Sequence, residues 1–346
     1  MFRQRWIDAR NRLLANPRFQ RWATRFPLTR PIAQARAARL FDLTAGFVYS
    51  QILLACIELD VLERAAVTPL VPADIDLPGE AAHRLVRAAA GIGLLEALDG
   101  GRYALGPEGA ALRGNPGIAE MVRHHRLLYA DLSDPVATLR SKGGGALSGH
   151  WPYAEGRRGE PSAYSALMAA SQPMIARQVL DAYPFHKHRH VMDVGGGSGA
   201  FLHTLDARVP GLELTVFDLP EVTALAGVGR AKRTGGSFKD SLPQGADLIT
   251  LIRILHDHDD ATVLDLLRTV HDALPPGGSI LVAEPMADTP GVNSYFEIYL
   301  WAMGSGRPRT PGELRQMLGK AGFVSIRRRH AALPLATQIL SAIRKV

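Results

Sequence analysis

Residues 190–202, HVMDVGGGSGAFL, constrain this 346-residue chain more than any other stretch: an apolar strand runs directly into glycines at 195, 197 and 199 and then into an apolar helical run. Glycine lets the backbone turn tightly and lets a ligand approach its amides closely. The spacing is G-x-G-x-G; the G-x-G-x-x-G that seats a pyrophosphate and the lysine of a P-loop are both missing, so the loop suits a nucleoside without phosphates. Further strand-like runs, ELTVFD, DLITLIRI and SILVAEP, alternate with amphipathic helical stretches such as DATVLDLLRTVHDAL from Asp260. That alternation implies a mostly parallel sheet covered on both faces. Asp218 ends the run LTVFD, where a carboxylate is placed to accept hydrogen bonds from both hydroxyls of a ribose; its structural alternative is a helix N-cap.

The rest of the chain has a different texture. Two domains are expected at this length, and 47% hydrophobic with 21% charged residues supports a sizeable core. The single cysteine, Cys56, excludes an intramolecular disulfide and a cysteine-built zinc site, and reads as a small buried hydrophobe. Residues 1–40 hold ten arginines and one acid, Asp8, interleaved with Phe2, Trp6, Phe19, Trp22 and Phe26. Such a segment either lies on an anionic membrane surface or packs on its own protein or a second copy. The most apolar run, Leu43 to Ile57, is shorter than the ~20 residues a span needs and contains Gly46, Ser50 and Gln51, so no transmembrane helix is expected. Beyond Phe41, AGFVYSQILLACIELDVLERAA reads as one helix, and EAAHRLVRAAAGIGLLEAL places Leu85, Ala89, Ile92 and Leu95 at helical spacing. Gly100 and Gly101 then offer a tight turn before a short strand. The unit resembles a winged helix, but Arg84 and Arg87 are too few cations for its second helix to read a DNA groove. Residues 115–190 look mainly helical, with a flexible break at SKGGGALSG.

The motifs DVGGGSG, VFDLPEV, GGSF followed by LP, ILHDHDD, VAEPM and GRPRTPGELRQMLGKAGF together resemble the small-molecule O-methyltransferase family over residues 41–335. The resemblance implies an α/β fold: a class I S-adenosylmethionine methyltransferase domain, Rossmann-like with a mostly parallel sheet, preceded by a helical winged-helix dimerisation domain. The implied organisation is a basic extension at 1–40, the winged-helix-like domain at 41–115, a helical connector contributing to the acceptor pocket at 116–185, and the methyltransferase domain at 186–346. S-adenosylmethionine is the implied cofactor. Asp193, Gly195, Gly196 and Gly197 would line its methionine and ribose portions, Asp218 would hold the ribose with Leu219 in the same site, and Ser237 and Phe238 would border the adenine. The family usually carries aspartate where this chain has Ser237.

Methyl transfer from a sulfonium to a hydroxyl needs a general base. His256, in ILHDHDD, follows a buried strand, and an imidazole titrates near neutrality. A lone histidine at a strand end is more often structural; the family motif is what makes this one the base. Glu284 ends the following strand, and neighbouring parallel strands bring their C-terminal ends together, so Glu284 is expected to orient the imidazole. Where the family often has a second orienting glutamate, before an R-T pair, this chain has Pro308. Asp257 either takes part or serves as an N-terminal acid of the next helix, and His258 stands where many relatives have a tryptophan beside the adenine. No Asp/Glu cluster shows metal-ligand spacing, and His186, His188 and His190 have no suitable ligand beside them, so no metal is expected.

The acceptor pocket is expected from the helical segments before the glycine loop and from NSYFEIYLWAMGSG. Tyr295, Phe296, Tyr299, Trp301 and Met303, with Met168 and Met174 upstream, suit a hydrophobic acceptor, about half of them serving the core instead. RFPLTRPIAQARAARLFDLTAGFVYSQILLAC, MVRHHRLLYADLSDPV and AMGSGRPRT further resemble the carotenoid-methylating branch of the family, the hydroxyneurosporene (demethylspheroidene) type. That resemblance implies an acceptor with a tertiary hydroxyl at the end of a long polyene, a homodimer, and a cytoplasmic protein peripheral to the inner photosynthetic membrane through residues 1–40. Two other readings stay open: a soluble phenolic or polyketide acceptor, and a non-catalytic winged-helix DNA-binding protein, although nucleic acid is not the expected partner.

Overall fold

The computed structural model describes all residues except 151–160, 226, 228, 290 and 333–336, with only the backbone of 116, 150 and 161–171. By internal contacts the chain divides into two compact units, Met1–Arg113 and Gly114–Val346.

The first unit is helical. Helices Phe2–Ala15, Pro17–Arg25, Arg30–Glu58, Val61–Val67 and Gly79–Gly91 precede an antiparallel hairpin of β1 (Leu95–Leu98) and β2 (Arg102–Leu105), and Pro107–Arg113 closes it. Proline opens the second helix, where its missing N–H is no loss, and the Asn16 side chain caps that end by accepting from Arg18 N at 2.8 Å. Two sequence expectations shift here. The run from Ala45 to Ala66 is two helices, because Asp60 adopts a left-handed φ of 53° that ends the first. The helical reading through Leu95 stops at Gly91: Gly93 turns at φ 76° and Leu95–Leu98 leaves the helix to pair with β2, Leu95 opposite Leu105. Cys56, Val61, Leu62, Val86 and Leu95 form the buried core of this unit, and burial pushes the Cys56 thiol up to about 12, so it is an inert core residue. Arg30–Glu58 is 29 residues long, so the apolar run lies in a longer helix than the sequence suggested. Among the described residues it is the one helix long and apolar enough to cross a membrane by length and composition.

The second unit is built on a seven-stranded sheet of β3 (His190–Val194), β4 (Glu213–Asp218), β5 (Lys232–Gly235), β6 (Leu248–Ile252), β7 (Ser279–Glu284), β8 (Phe323–Arg329) and β9 (Gln338–Arg344). Their order is β5-β4-β3-β6-β7-β9-β8, with β3 to β7 parallel and β9 antiparallel to both its neighbours. Successive side chains of a strand point to opposite faces, and both faces are buried. Met192, Val194, Ile249, Leu251, Ile280 and Val282 pack on one side with Leu266, Leu267 and Val270 of the helix Asp260–Ala273. Val191, Leu248, Leu281 and Ala283 pack on the other with Phe201, Leu202 and Leu205 of the helix Ala200–Arg208. Strand order reverses at β3, which has β4 on one side and β6 on the other; the C-terminal ends of the strands beside such a reversal are where open α/β sheets form their ligand crevice. The glycine run at 143–145, expected as a flexible break, makes contacts on both sides. The Asp131 carboxylate accepts from Ala146 N and Leu147 N at 2.6 and 3.0 Å, and Gly143 lies against Gly304 backbone to backbone.

Leu267 is fully buried whereas Leu43 is 76% exposed. Leu267→Ala is therefore expected to destabilise the protein by about 2–5 kcal/mol in urea denaturation, and Leu43→Ala by less than about 0.5 kcal/mol.

Candidate active site

The crevice gathers residues from the tips of five parallel strands. The glycine loop follows β3 with left-handed φ at Gly195, Gly197 and Gly199 of 71°, 55° and 84°, a conformation that disfavours side chains. Gly195 N donates to Phe217 O of β4 at 2.8 Å, and a Cβ at Gly195 would meet Ile254 of the turn after β6, so the loop is pinned between its two neighbours. Asp193 lies beneath it, 2% exposed and accepting from the Thr250 hydroxyl at 2.6 Å; burial lifts its carboxyl to about 7. Asp218, at the end of β4, accepts from Gly197 N at 2.8 Å on one oxygen and from Leu219 N at 2.7 Å on the other. It is therefore no N-cap: its carboxylate clasps the glycine loop, and each oxygen keeps further lone pairs for a ligand. Burial raises its pKa. Ser237 and Phe238 follow β5, and the Phe238 ring meets the His258 ring edge-on, centroids 5.3 Å apart. Burial holds His258 down at about 4, so it is neutral at physiological pH.

The structure brings His256 and Glu284 together. Residues 255–257 form a single 3-10 turn after β6, and β7 runs beside β6 with Ile252 opposite Ala283, so Glu284 stands next to that turn. Its Oε2 lies 2.5 Å from His256 Nδ1, while Oε1 accepts from Ile254 N and Leu255 N at 2.9 and 2.7 Å. The Phe296 ring stands edge-on to the His256 ring, centroids 5.6 Å apart. Asp257 is not the N-terminal acid of the next helix; Asp259 takes that place by accepting from Thr262 N at 2.8 Å. Asp257 instead sets Oδ1 3.3 Å from His256 Nε2. Burial alone would lower the imidazole's pKa, but the carboxylates of Asp257 and Glu284 outweigh it and the net shift is upward. Burial in turn raises Asp257 to about 6. Among the described residues no group of three or more His, Cys, Asp or Glu side chains is placed so that it could hold a metal ion.

An O-methyltransferase domain model matches residues 129–324, more than half of the chain. The chain belongs to the O-methyltransferase family. It is 41% identical to the demethylspheroidene O-methyltransferase of Rhodobacter capsulatus, across 96% of this chain and 88% of that relative. With the enzyme of the same name from Cereibacter sphaeroides it shares 39%, across 96% and 94%. Among solved structures it is similar to human N-acetylserotonin methyltransferase in complex with SAM, with a TM-score of 0.76 and 25% identity over 90% of this chain and 98% of that one.

In this O-methyltransferase, residues that sequence reasoning passed over hold the His256 turn. Arg309, 2% exposed, donates to Leu255 O at 2.6 Å and His258 O at 2.7 Å and pairs with Asp260 at 2.7 Å. Arg307 N donates to His256 O at 2.9 Å, the Ser305 hydroxyl donates to Asp257 O at 2.5 Å, and a Cβ at Gly306 would sit 1.9 Å from His256 O. The available signal was the GRPRT motif itself, which the sequence reading used for its likeness to the family and for its missing glutamate. Of the expected acceptor-pocket residues, Tyr295, Phe296 and Tyr299 cluster beside His256. Trp301 instead donates its indole N–H to Thr138 O at 3.0 Å, Met303 is buried with Leu128 and Leu147, and Met174 packs under the sheet. The Met168 side chain lies outside the described residues.

A base must be deprotonated to act, so a raised pKa at His256 places the acidic limb of the kcat/KM against pH profile above the ordinary histidine value of 6.5. Asp257→Asn removes an anion that favours the imidazolium, and is expected to move that limb downward by about one to three pH units, read from rates at saturating cofactor.

Proposed function

We propose that this protein transfers the methyl group of S-adenosylmethionine to a hydroxyl of a hydroxylated carotenoid, the tertiary alcohol at the end of a long polyene. The observation that carries the reaction is the held imidazole: Nδ1 is bound to Glu284 at 2.5 Å, and Nε2, which Asp257 Oδ1 faces at 3.3 Å, is the nitrogen that takes the acceptor's proton. The acceptor class rests on likeness to the two demethylspheroidene O-methyltransferases.

The crevice suits the cofactor by its own chemistry. Its glycine loop carries no cation for a phosphate, the Asp218 oxygens have lone pairs free for ribose hydroxyls, and Phe238 with neutral His258 offers an aromatic edge for a base. S-adenosylmethionine, when bound, supplies an electrophilic methyl group. His256 takes the acceptor's proton at Nε2, Glu284 stabilises the imidazolium that results, and Phe296 keeps water from the ring's flank. A tertiary alcohol is a far weaker acid than an imidazolium, so proton transfer to His256 accompanies bond formation at oxygen and does not precede it.

Membrane association through residues 1–40 and pairing of two chains complete the proposal and place the enzyme at the inner photosynthetic membrane. Residues 1–40 have the chemistry for that docking. Phe19, Trp22 and Phe26 form one row of the second helical segment, their rings 5.7 and 5.1 Å apart, beside a row of Arg18, Arg21 and Arg25. Aromatics at the interface with arginines on headgroups is the pattern of a helix lying on an anionic bilayer.

Purified protein with labelled cofactor and a hydroxycarotenoid in detergent is expected to label the carotenoid, and His256→Ala to lower the rate by about 10²–10⁴-fold; turnover of a phenol with none of the polyene alcohol overturns the acceptor. Replacing Arg18, Arg21 and Arg25 by glutamate is expected to abolish co-sedimentation with vesicles containing anionic lipid, an outcome that unchanged sedimentation would contradict.

A further inference from the structure

The helix Pro17–Arg25 places Arg18, Arg21 and Arg25 three and four residues apart, which sets their side chains on one face. Like charges at that spacing repel. Several exposed arginines elsewhere relieve their charge with an acid: Arg113 with Glu63, Arg208 with Asp181 and Arg230 with Asp206. Among the described residues no carboxylate pairs with any of the three on this helix. Asp8, the one acid of residues 1–40, lies on the preceding helix and accepts from Gln4 Nε2 at 3.0 Å instead.

The three arginines line one open cavity of about 590 Å³ together with Trp22, Phe26 and Pro27, a volume within the range of small-ligand sites. Its walls are held. The Trp22 and Phe26 rings stack with centroids 5.1 Å apart and planes 13° from parallel. The turn that carries Phe26 and Pro27 is closed by Thr29 Oγ1 donating to Ala23 O at 2.8 Å and Arg30 N donating to Phe26 O at 2.9 Å. A concave surface with three guanidiniums and no carboxylate selects an anion. Guanidinium forks match phosphate oxygens two at a time, and a tetrahedral phosphate presents its oxygens in several directions, so forks from different heights along the helix can engage it together. Large apolar side chains flank the charge: Trp22, Phe26, Leu28 and Ile32 are all exposed. A free phosphate makes no use of them, whereas a phosphate esterified to acyl chains does.

We propose that the cavity of Arg18, Arg21 and Arg25 seats the phosphate of an anionic phospholipid headgroup. This rests on membrane docking through residues 1–40, and makes that docking the capture of one headgroup in a shaped site where a diffuse attraction would need only charge. The phosphate offsets the repulsion among the three guanidiniums, while Trp22 and Phe26 lie beside the glycerol and the first methylenes of the chains.

The test replaces Arg18, Arg21 and Arg25 together by lysine, which keeps the charge and removes the forks. Helix content by circular dichroism is expected to stay the same, the two residues having similar helix propensity. Diffuse attraction to an anionic surface counts lysine and arginine alike, whereas a phosphate seat does not. Affinity of the full chain for mixed phosphatidylglycerol and phosphatidylcholine vesicles is therefore expected to fall about tenfold in the lysine variant. Glycerol 3-phosphate is expected to displace the parent from those vesicles better than sodium chloride of equal ionic strength, and to lose that advantage against the lysine variant. A lysine variant that binds as tightly as the parent, with both salts equally effective, overturns the seat and leaves the docking standing as diffuse attraction. A parent that ignores the vesicles overturns the docking, and this inference with it; should that parent still bind glycerol 3-phosphate in calorimetry, the cavity takes a soluble phosphate and the lipid is refuted as its source.

Discussion

The Glu284 carboxylate holds the site together. One oxygen binds His256 Nδ1 and the other binds the amides of Ile254 and Leu255, so a single buried side chain at the tip of β7 fixes both the course of the backbone after β6 and the orientation of the ring it carries. The turn is secured from its other side as well. Carbonyls 255 and 258 go to Arg309, carbonyl 256 to the Arg307 amide, and carbonyl 257 to the Ser305 hydroxyl. A short turn with every one of these carbonyls engaged has little freedom to rotate the imidazole away, which is the preorganisation that proton transfer needs.

Electrostatics at the crevice follow from the same burial. Asp193, Asp218 and Asp257 all have their pKa values raised chiefly because the charged carboxylate is poorly solvated there. A cationic ligand such as a sulfonium relieves that penalty, whereas an anionic one would increase it. Charge is distributed along the chain in the opposite sense at its start. The first 40 residues carry ten arginines against one acid, while the remainder holds 30 basic and 32 acidic side chains. The nearly neutral remainder carries the crevice with its buried aspartates, and the excess positive charge is confined to a segment remote in sequence from the chemistry. The proposed membrane contact and the proposed reaction thus call on charges of different sign in different parts of the chain.

Much of the site was legible because its residues lie at strand ends that local patterning reveals. HVMDV, ELTVFD, DLITLIRI and SILVAEP are each mostly apolar, and each ends at or close to a residue of the crevice. The parts that were not legible depend on contacts without a local signature. Which of three successive aspartates caps the helix is decided by the 3-10 turn, which leaves Asp259 at the N-cap and turns Asp257 to the imidazole. Arg309 is buried because three partners converge on it from the turn and from Asp260, contacts that nothing in its local sequence announces. Trp301 shares a helix with Phe296, but its rotation about the axis sends it to Thr138. The hairpin strand Leu95–Leu98 was hidden because its leucines also fit a helical period until Gly93 breaks it.

The amino-acid sequence alone determined the parallel-sheet architecture and the phosphate-free glycine loop, since each rests on residues within one short run and on the periods of strand and helix, while the proposed base was picked out by the family motif around His256. Only the tertiary structure decided which carboxylate meets which nitrogen of His256, that an arginine and a glycine near residue 307 secure its turn, and that two tyrosines of one helix, Tyr295 and Tyr299, bond to two histidines 170 and 175 residues earlier. Those pairings are set by strand order and helix rotation, which long-range packing selects and local propensity does not encode.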